Sequence, residues 1–367
     1  MPFSCSIWLL IIEPKKYLSG INGMSKAVLL LNLGTPETPT TKGLRDFYRH
    51  FFADPFVFDF NPVGRWLLRN LIIMPFRAPR VARDYAAIWM DEGSPLKVYA
   101  DRVQSGVQAA FDESDEEVTV LNAMAYSSPF VSDVMGQIET QGIREILLLP
   151  MFPQYSTATT ASIFDVVNKA AKKWRTPPHL QFVDDLFQEP AFIRAWKIGI
   201  TKYLASIDVD HVIFSYHGIP EKTIKKADDR NVCQFADCCN LITENNRYCY
   251  RAQCISTTKS IANALGWSEP SYSVAFQSRF GSLPWIKPYL DEHIQQQVRA
   301  GNKRLALVTP SFVSDCLETI HEIGIEYREQ FIKAGGEEFV LLPNLNDDQT
   351  WINSVFQIAK KHLRNTG

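Results

Sequence analysis

Short runs of branched and leucine-rich residues alternate with longer stretches of helical periodicity along nearly the whole chain. Four runs lie in the first half: AVLLLNLG (27–34), EVTVLNAMAY (117–126), EILLLPMF (145–152) and LQFVDDL (180–186). Four more follow: HVIFSYHG (211–218), SYSVAFQS (271–278), RLALVTPSF (304–312) and EFVLLPNL (338–345). Runs apolar on both faces belong in parallel sheets covered by helices. Amphipathic segments such as 190–207, 284–302 and 314–335 supply the cover. The pattern predicts two doubly wound, Rossmann-like α/β domains, each with a four-stranded parallel sheet, over 24–190 and 191–367. A last helix over 348–363 packs back on either one. Residues 1–23 read as an N-terminal extension, either weakly structured or the product of a start codon placed too early. Its apolar run, Ile7 to Ile12, is too short to span a membrane and lacks the flanks of a signal peptide.

Segment 51–76 breaks the rhythm. It is strongly apolar, yet Asp54, Pro55, Asp59, Pro62, Arg65 and Arg69 exclude a spanning helix. It reads either as a helical hairpin buried under the first sheet or as an exposed lip that touches a membrane or admits a flat apolar ligand.

The charges nearly cancel, with 38 basic and 40 acidic residues, which excludes a typical nucleic-acid binder. The aromatic load of 23 Phe, 8 Trp and 13 Tyr suits large cores and flat ligands. A cytoplasmic compartment is expected, and there clustered thiols are metal ligands rather than disulfides. Five of the seven cysteines fall within the insertion 229–254, spaced C-x4-C-C-x9-C-x4-C: Cys233, Cys238, Cys239, Cys249 and Cys254. Four thiolates from such a set suit a [2Fe–2S] cluster or a structural zinc, and spacing alone does not choose between them.

In open parallel sheets ligands sit beyond the carboxyl ends of the strands. His217 closes one run and is followed by Gly218, so it is either a strand-end histidine bonded to backbone or a base and metal ligand. Glu318, Glu322 and Glu326 recur every four residues on one helical face, as a solvated stripe or as a row that hands a divalent cation from oxygen to oxygen.

NLGTPETP, PQYS, SYHGIP, FQSRFGSLPW and PSFVSDCLETIHEIG, in that order from Lys26 onward, resemble the ferrochelatase family, whose members insert Fe(II) into a porphyrin in haem synthesis. The resemblance implies a metal chelatase of the lyase class, with protoporphyrin IX and Fe(II) as substrates; the sequence leaves monomer and homodimer open, and segment 51–76 permits peripheral contact with the inner face of the cytoplasmic membrane. It makes His217 and Glu318 catalytic, and places His217, Glu318, Glu322 and Glu326 on the metal. Leu33, Tyr126, Tyr155, Trp285 and Phe312 become porphyrin contacts. Leucine at 33, where coproporphyrin-using relatives commonly carry tyrosine, favours protoporphyrin IX. Ala125 departs from the arginine of many relatives, and Cys316 from the histidine of animal ones. The family also tips the insertion towards a [2Fe–2S] cluster on Cys233, Cys238, Cys249 and Cys254, with Cys239 as the alternative to Cys238. The competing readings are a chelatase for another tetrapyrrole, a haem carrier and a two-domain binding protein.

Overall fold

The computed structural model describes residues 25–58 and 61–364. The extension 1–23, with Cys5, and Asp59 lie outside the described residues. The first sheet contains β1 (Lys26–Asn32), β2 (Val118–Met124), β3 (Glu145–Pro150) and β4 (His179–Phe182), in the order β2-β1-β3-β4. The second contains β5 (His211–His217), β6 (Tyr272–Gln277), β7 (Arg304–Val308) and β8 (Glu338–Leu341), in the order β6-β5-β7-β8. Every pairing is parallel, and the second half repeats the topology of the first.

Side chains alternate along each strand, and the two sets enter different cores. Val28, Leu30, Leu147 and Leu149 join Phe214, Tyr216, Ala306 and Val308 in one apolar cluster that runs through both sheets. Ala27, Leu29 and Leu31 face a separate cluster on the far side of the first sheet, and Ile213, Leu305 and Leu307 one on the far side of the second. The shared core is closed by helix Pro190–Leu204 and by the last helix, Gln349–Arg364. That last helix crosses to the first sheet: Phe356 meets Phe111 at 4.8 Å between centroids, and Gln181 Nε2 donates to the His362 carbonyl at 3.0 Å.

The expected strands overrun the observed ones at their carboxyl ends, most of all for 180–186, 304–312 and 338–345, where the strands stop at Phe182, Val308 and Leu341. Thr309 and Leu345 stay buried past the last paired residues, and Leu342, whose N–H still donates to the Leu307 carbonyl at 2.9 Å, joins Leu345 in the core shared by both sheets. The expected helix over 284–302 shortens to Leu290–Arg299: Pro284 and Pro288 lack amide protons, and residues 285–289 run extended beside Pro220 and Phe276.

Segment 51–76 is not a buried hairpin. Helix Pro62–Leu67 passes into a π-helical stretch, Leu68–Arg77, and then into helix Ala78–Ile88. Ile73 is buried with Leu44, Tyr48, Phe52, Ala78 and Ala82 in a small core of their own. Val63, Trp66, Leu71, Ile72 and Phe76 stand exposed, Phe76 at 75%. Among the described residues no helix is long and apolar enough to cross a membrane.

Candidate active site and thiol insertion

The strand tips of both sheets meet in one region. Beyond β1, Gly34 takes φ +109° and packs so tightly that a Cβ would lie 2.4 Å from Ser127 Oγ. Ser127 Oγ accepts the Thr35 N–H at 3.1 Å, and the Leu33 carbonyl accepts the Tyr126 N–H at 2.9 Å. Beyond β5, the Gly218 N–H donates to the Gln277 carbonyl at 2.8 Å, and a Cβ on Gly218 would stand 2.7 Å from that oxygen and 3.2 Å from the Trp285 ring. Only glycine fits where His217 meets its neighbours.

His217 is partly buried, and its Nδ1 lies 2.6 Å from the Gly218 carbonyl. A carbonyl only accepts, so the proton sits on Nδ1 and the Nε2 lone pair is left for a ligand or a proton. Burial lowers the imidazole pKa, against the opposing pull of the Glu318 charge and the Gly218 carbonyl. Burial thus favours the neutral ring. Phe312 lies 6.4 Å from it, centroid to centroid, and Trp285 packs on Gly218. His217, Glu318, Phe312 and Trp285 thus form one group.

Glu318 opens the π-helical segment Leu317–Tyr327, whose i→i+5 hydrogen bonds widen each turn and bring residues four apart nearer to alignment than a 3.6-residue turn does. Its main chain is held by Gln277, whose Nε2 donates to the Glu318 carbonyl at 2.8 Å while its Oε1 accepts from Ser215 Oγ at 2.8 Å. The Glu318 charge also acts on Tyr48 and Tyr85, which come from the first half of the chain. Burial pushes Tyr48 up to about 12 and raises Tyr85 well above its ordinary value.

The outer carboxylates already have partners. Ser278, held at φ +66°, donates to both oxygens of Glu322, at 2.9 and 2.7 Å. Burial, with Glu318 and Glu326 adding repulsion, raises the Glu322 carboxyl to about 7. Glu326 lies 3.8 Å from both Arg80 and His321, and His321 lies 3.7 Å from Asp84, so the row docks against helix Ala78–Ile88.

Two of the expected porphyrin contacts, Tyr126 and Tyr155, have protein partners. Tyr126 is 4% exposed, and its hydroxyl donates to Asp54 Oδ2 at 2.7 Å beside Ser162, which donates to the same oxygen at 2.6 Å. It anchors the lip. Tyr155 meets Tyr248 in a tilted contact, 5.0 Å between centroids, and lines a cavity of about 250 Å³ together with Ile219, Cys233, Cys238 and Cys249. Leu33 is half-buried at the β1 tip. Gln277, Ser278, Asp54 and Ser162 were not singled out from sequence, although Gln277 and Ser278 fall within the FQSRFGSLPW motif.

The insertion is tied to the first half by Arg247, which donates to Asp185 through two nitrogens at 2.6 and 3.2 Å, and by Gln253, which accepts the Tyr155 N–H at 2.6 Å. All five of its thiols are free. Cys238 and Cys239 sulfurs lie 3.8 Å apart, and Cys239 hydrogen-bonds Cys249. Cys249 caps helix Tyr250–Leu265. The Cys239 thiol, together with the amides of Ala252 and Arg251, lowers its pKa against burial. Arg251 stands beside Cys239 with Nη1 buried and unpartnered, a donor that an anionic metal–thiolate centre would satisfy. The donor set fits such a centre. Among the described residues no three His, Cys, Asp or Glu side chains are already closed around one point.

Two four-stranded parallel sheets flanked by helices are a fold shared with solved chelatases. The structure aligns with SirB from Bacillus subtilis with Fe3+ at a TM-score of 0.51, 11% identity, over 94% of this chain and 97% of that one. It aligns with the sirohydrochlorin chelatase SirB from Bacillus subtilis subspecies spizizenii in complex with cobalt at a TM-score of 0.52, 8% identity, over 93% and 97%. Within that fold the sequence is more specific. The Ferrochelatase family model matches residues 25–363. The ferrochelatase of Coxiella burnetii (strain Dugway 5J108-111) is 38% identical over 96% of this chain and 98% of its own. That of Legionella pneumophila (strain Corby) is 36% identical over 93% and 100%. The chain belongs to the ferrochelatase family.

Proposed function

We propose that this chain inserts Fe(II) into protoporphyrin IX to give protohaem, as a chelatase of the lyase class in haem synthesis. The observation that carries the reading is the His217 imidazole, whose Nδ1 is taken by the Gly218 carbonyl so that Nε2 is left for a proton, beside the charge of Glu318 at the strand tips of a ferrochelatase-family chain. Metallation exchanges two pyrrole N–H protons for one Fe(II). In a flat macrocycle the nitrogen lone pairs lie in the plane, so the ring must bend. Apolar contacts from Leu33, Phe312 and Trp285 offset strain of about 1–5 kcal/mol. His217 Nε2 accepts the pyrrole protons, aided by Glu318, and Glu322, with its carboxyl near 7, takes and releases protons at neutral pH. Fe(II) travels along Glu326, Glu322 and Glu318 and arrives beside His217, or comes from the Leu33 face. Tyr126, beside Leu33, and Tyr155, beside the insertion, are further porphyrin contacts.

Cys233, Cys238, Cys249 and Cys254 would hold a [2Fe–2S] cluster, with Cys239 the alternative to Cys238 and zinc the alternative occupant. Bound, it supplies a one-electron couple and a cross-link of the loop. Anaerobic purification should give a brown protein with acid-labile sulfide; a colourless protein with one zinc overturns the cluster.

The exposed lip, joined to the second half where Arg77 covers the Phe280 ring at 4.6 Å, suits peripheral contact with the inner face of the cytoplasmic membrane. Zn(II) insertion into protoporphyrin, followed by fluorescence, tests the activity. His217→Ala should bind porphyrin and insert no metal. Near-normal turnover in that variant removes His217 from the mechanism, and preference for a sirohydrochlorin with cobalt removes the substrate assignment.

A further inference from the structure

Tyr250 stands between the thiol insertion and His217. It follows Cys249 directly, starts helix Tyr250–Leu265 and is 7% exposed. Its hydroxyl donates to the His217 carbonyl at 2.8 Å and also meets the Cys254 thiol and the Ser311 hydroxyl. Ser311 Oγ in turn accepts the His217 N–H at 3.3 Å.

This arrangement follows from the sheet. Pairing of β5 with β7 ends at Phe214 and Val308, so His217 reaches three residues past its last β7 partner. An N–H and a carbonyl at that depth need partners. On this side they come from Ser311 and Tyr250 rather than from a strand. The aim of the imidazole therefore depends on two side chains, and one of them belongs to the insertion. Cys254 lies one helical turn beyond Tyr250 on the same face, and Cys249 immediately precedes it. Drawing both sulfurs to one centre fixes the turn that carries Tyr250.

We propose that Tyr250 is a positioning residue through which metal loading of the thiol insertion sets the orientation of His217. The proposal rests on the reading of the insertion as a metal centre. It gives that centre a bearing on porphyrin metallation without making it a participant.

The test compares the full-length protein and Tyr250→Phe, each as purified anaerobically and after metal removal by chelator under reductant. Metal and sulfide content, Zn(II) insertion kinetics, and acylation of His217 by diethyl pyrocarbonate (read by peptide mass spectrometry) are measured on all four. Tyr250→Phe should keep its metal and its porphyrin KM within about two-fold while kcat falls about five- to ten-fold. Metal removal should lower kcat and change the His217 acylation rate in the parent, and do neither in Tyr250→Phe. Ser311→Ala, which leaves the Tyr250–Cys254 contact in place, should lower kcat yet keep its dependence on metal. Equal proportional loss on metal removal in parent and Tyr250→Phe overturns the proposal, as does unchanged kcat in Tyr250→Phe. If Tyr250→Phe does not fold, loss of the metal dependence in Ser311→Ala overturns it. A parent protein purified without metal overturns the metal-centre reading and the coupling together. Metal-bearing proteins that behave alike overturn the coupling alone.

Discussion

Glu322 carries a pH dependence whose sign and size can be worked out in advance. Its carboxyl is raised to about 7 from an ordinary 4.5, chiefly by burial, with repulsion from Glu318 and Glu326 added and Ser278 opposing. Below pH 4.5 the group is protonated in folded and unfolded chains alike and contributes no difference. Between 4.5 and 7 the unfolded chain releases its proton while the folded one keeps it, so stability falls as pH rises and levels off above 7. The interval of 7 − 4.5 = 2.5 pH units, at about 1.4 kcal/mol each, gives a loss of about 3 kcal/mol by pH 8. Glu322→Gln retains an acceptor for Ser278 but has no proton to lose. Urea unfolding of parent and variant at pH 4, 6 and 8 should show a stability difference near zero at pH 4, growing to about 3 kcal/mol in favour of the variant at pH 8. A difference that stays constant with pH refutes the assignment of that slope to Glu322.

Other expectations follow from particular contacts. Gly218→Ala should push the Gln277 carbonyl and the Trp285 ring, cost about 1–3 kcal/mol and lower Zn(II) insertion more than ten-fold; parental melting and turnover would show that the tip yields. Arg247→Ala should leave Asp185, with a side chain only 7% exposed, short of its two strongest donors and cost about 2–3 kcal/mol. The loosened insertion should be cut by protease about ten-fold faster, and an unchanged digestion rate would contradict this.

The sheets were legible because residues apolar on both strand faces have few alternatives to a covered parallel sheet, and β1 and β5 bear this out. Strand ends were less legible. Thr309 and Leu345 are as buried as ladder residues although they lie past the last paired residues, and hydrophobicity reports burial rather than pairing. Spacing put Glu318, Glu322 and Glu326 on one face, but the π-helical winding depends on tertiary contacts with helix Ala78–Ile88 and on Ser278. The polar ties of the site were out of reach for a related reason. Asp54 meets Ser162 across 108 residues, and Tyr155 meets Gln253 across 98, so no local pattern marks them. Cysteine spacing stands out because thiols are rare, which is why the insertion was conspicuous and its link to His217 through Tyr250 was not.

The continuous apolar cluster shared by both sheets bears on how a macrocycle gains entry. Hinging the halves apart would wet Phe214, Trp196 and Trp351 together, at about 1.5–3 kcal/mol for each large side chain uncovered. The lip instead rests on a separate nucleus of six buried residues and is latched by Asp54. The lip thus carries an apolar core of its own, distinct from the one that joins the two sheets.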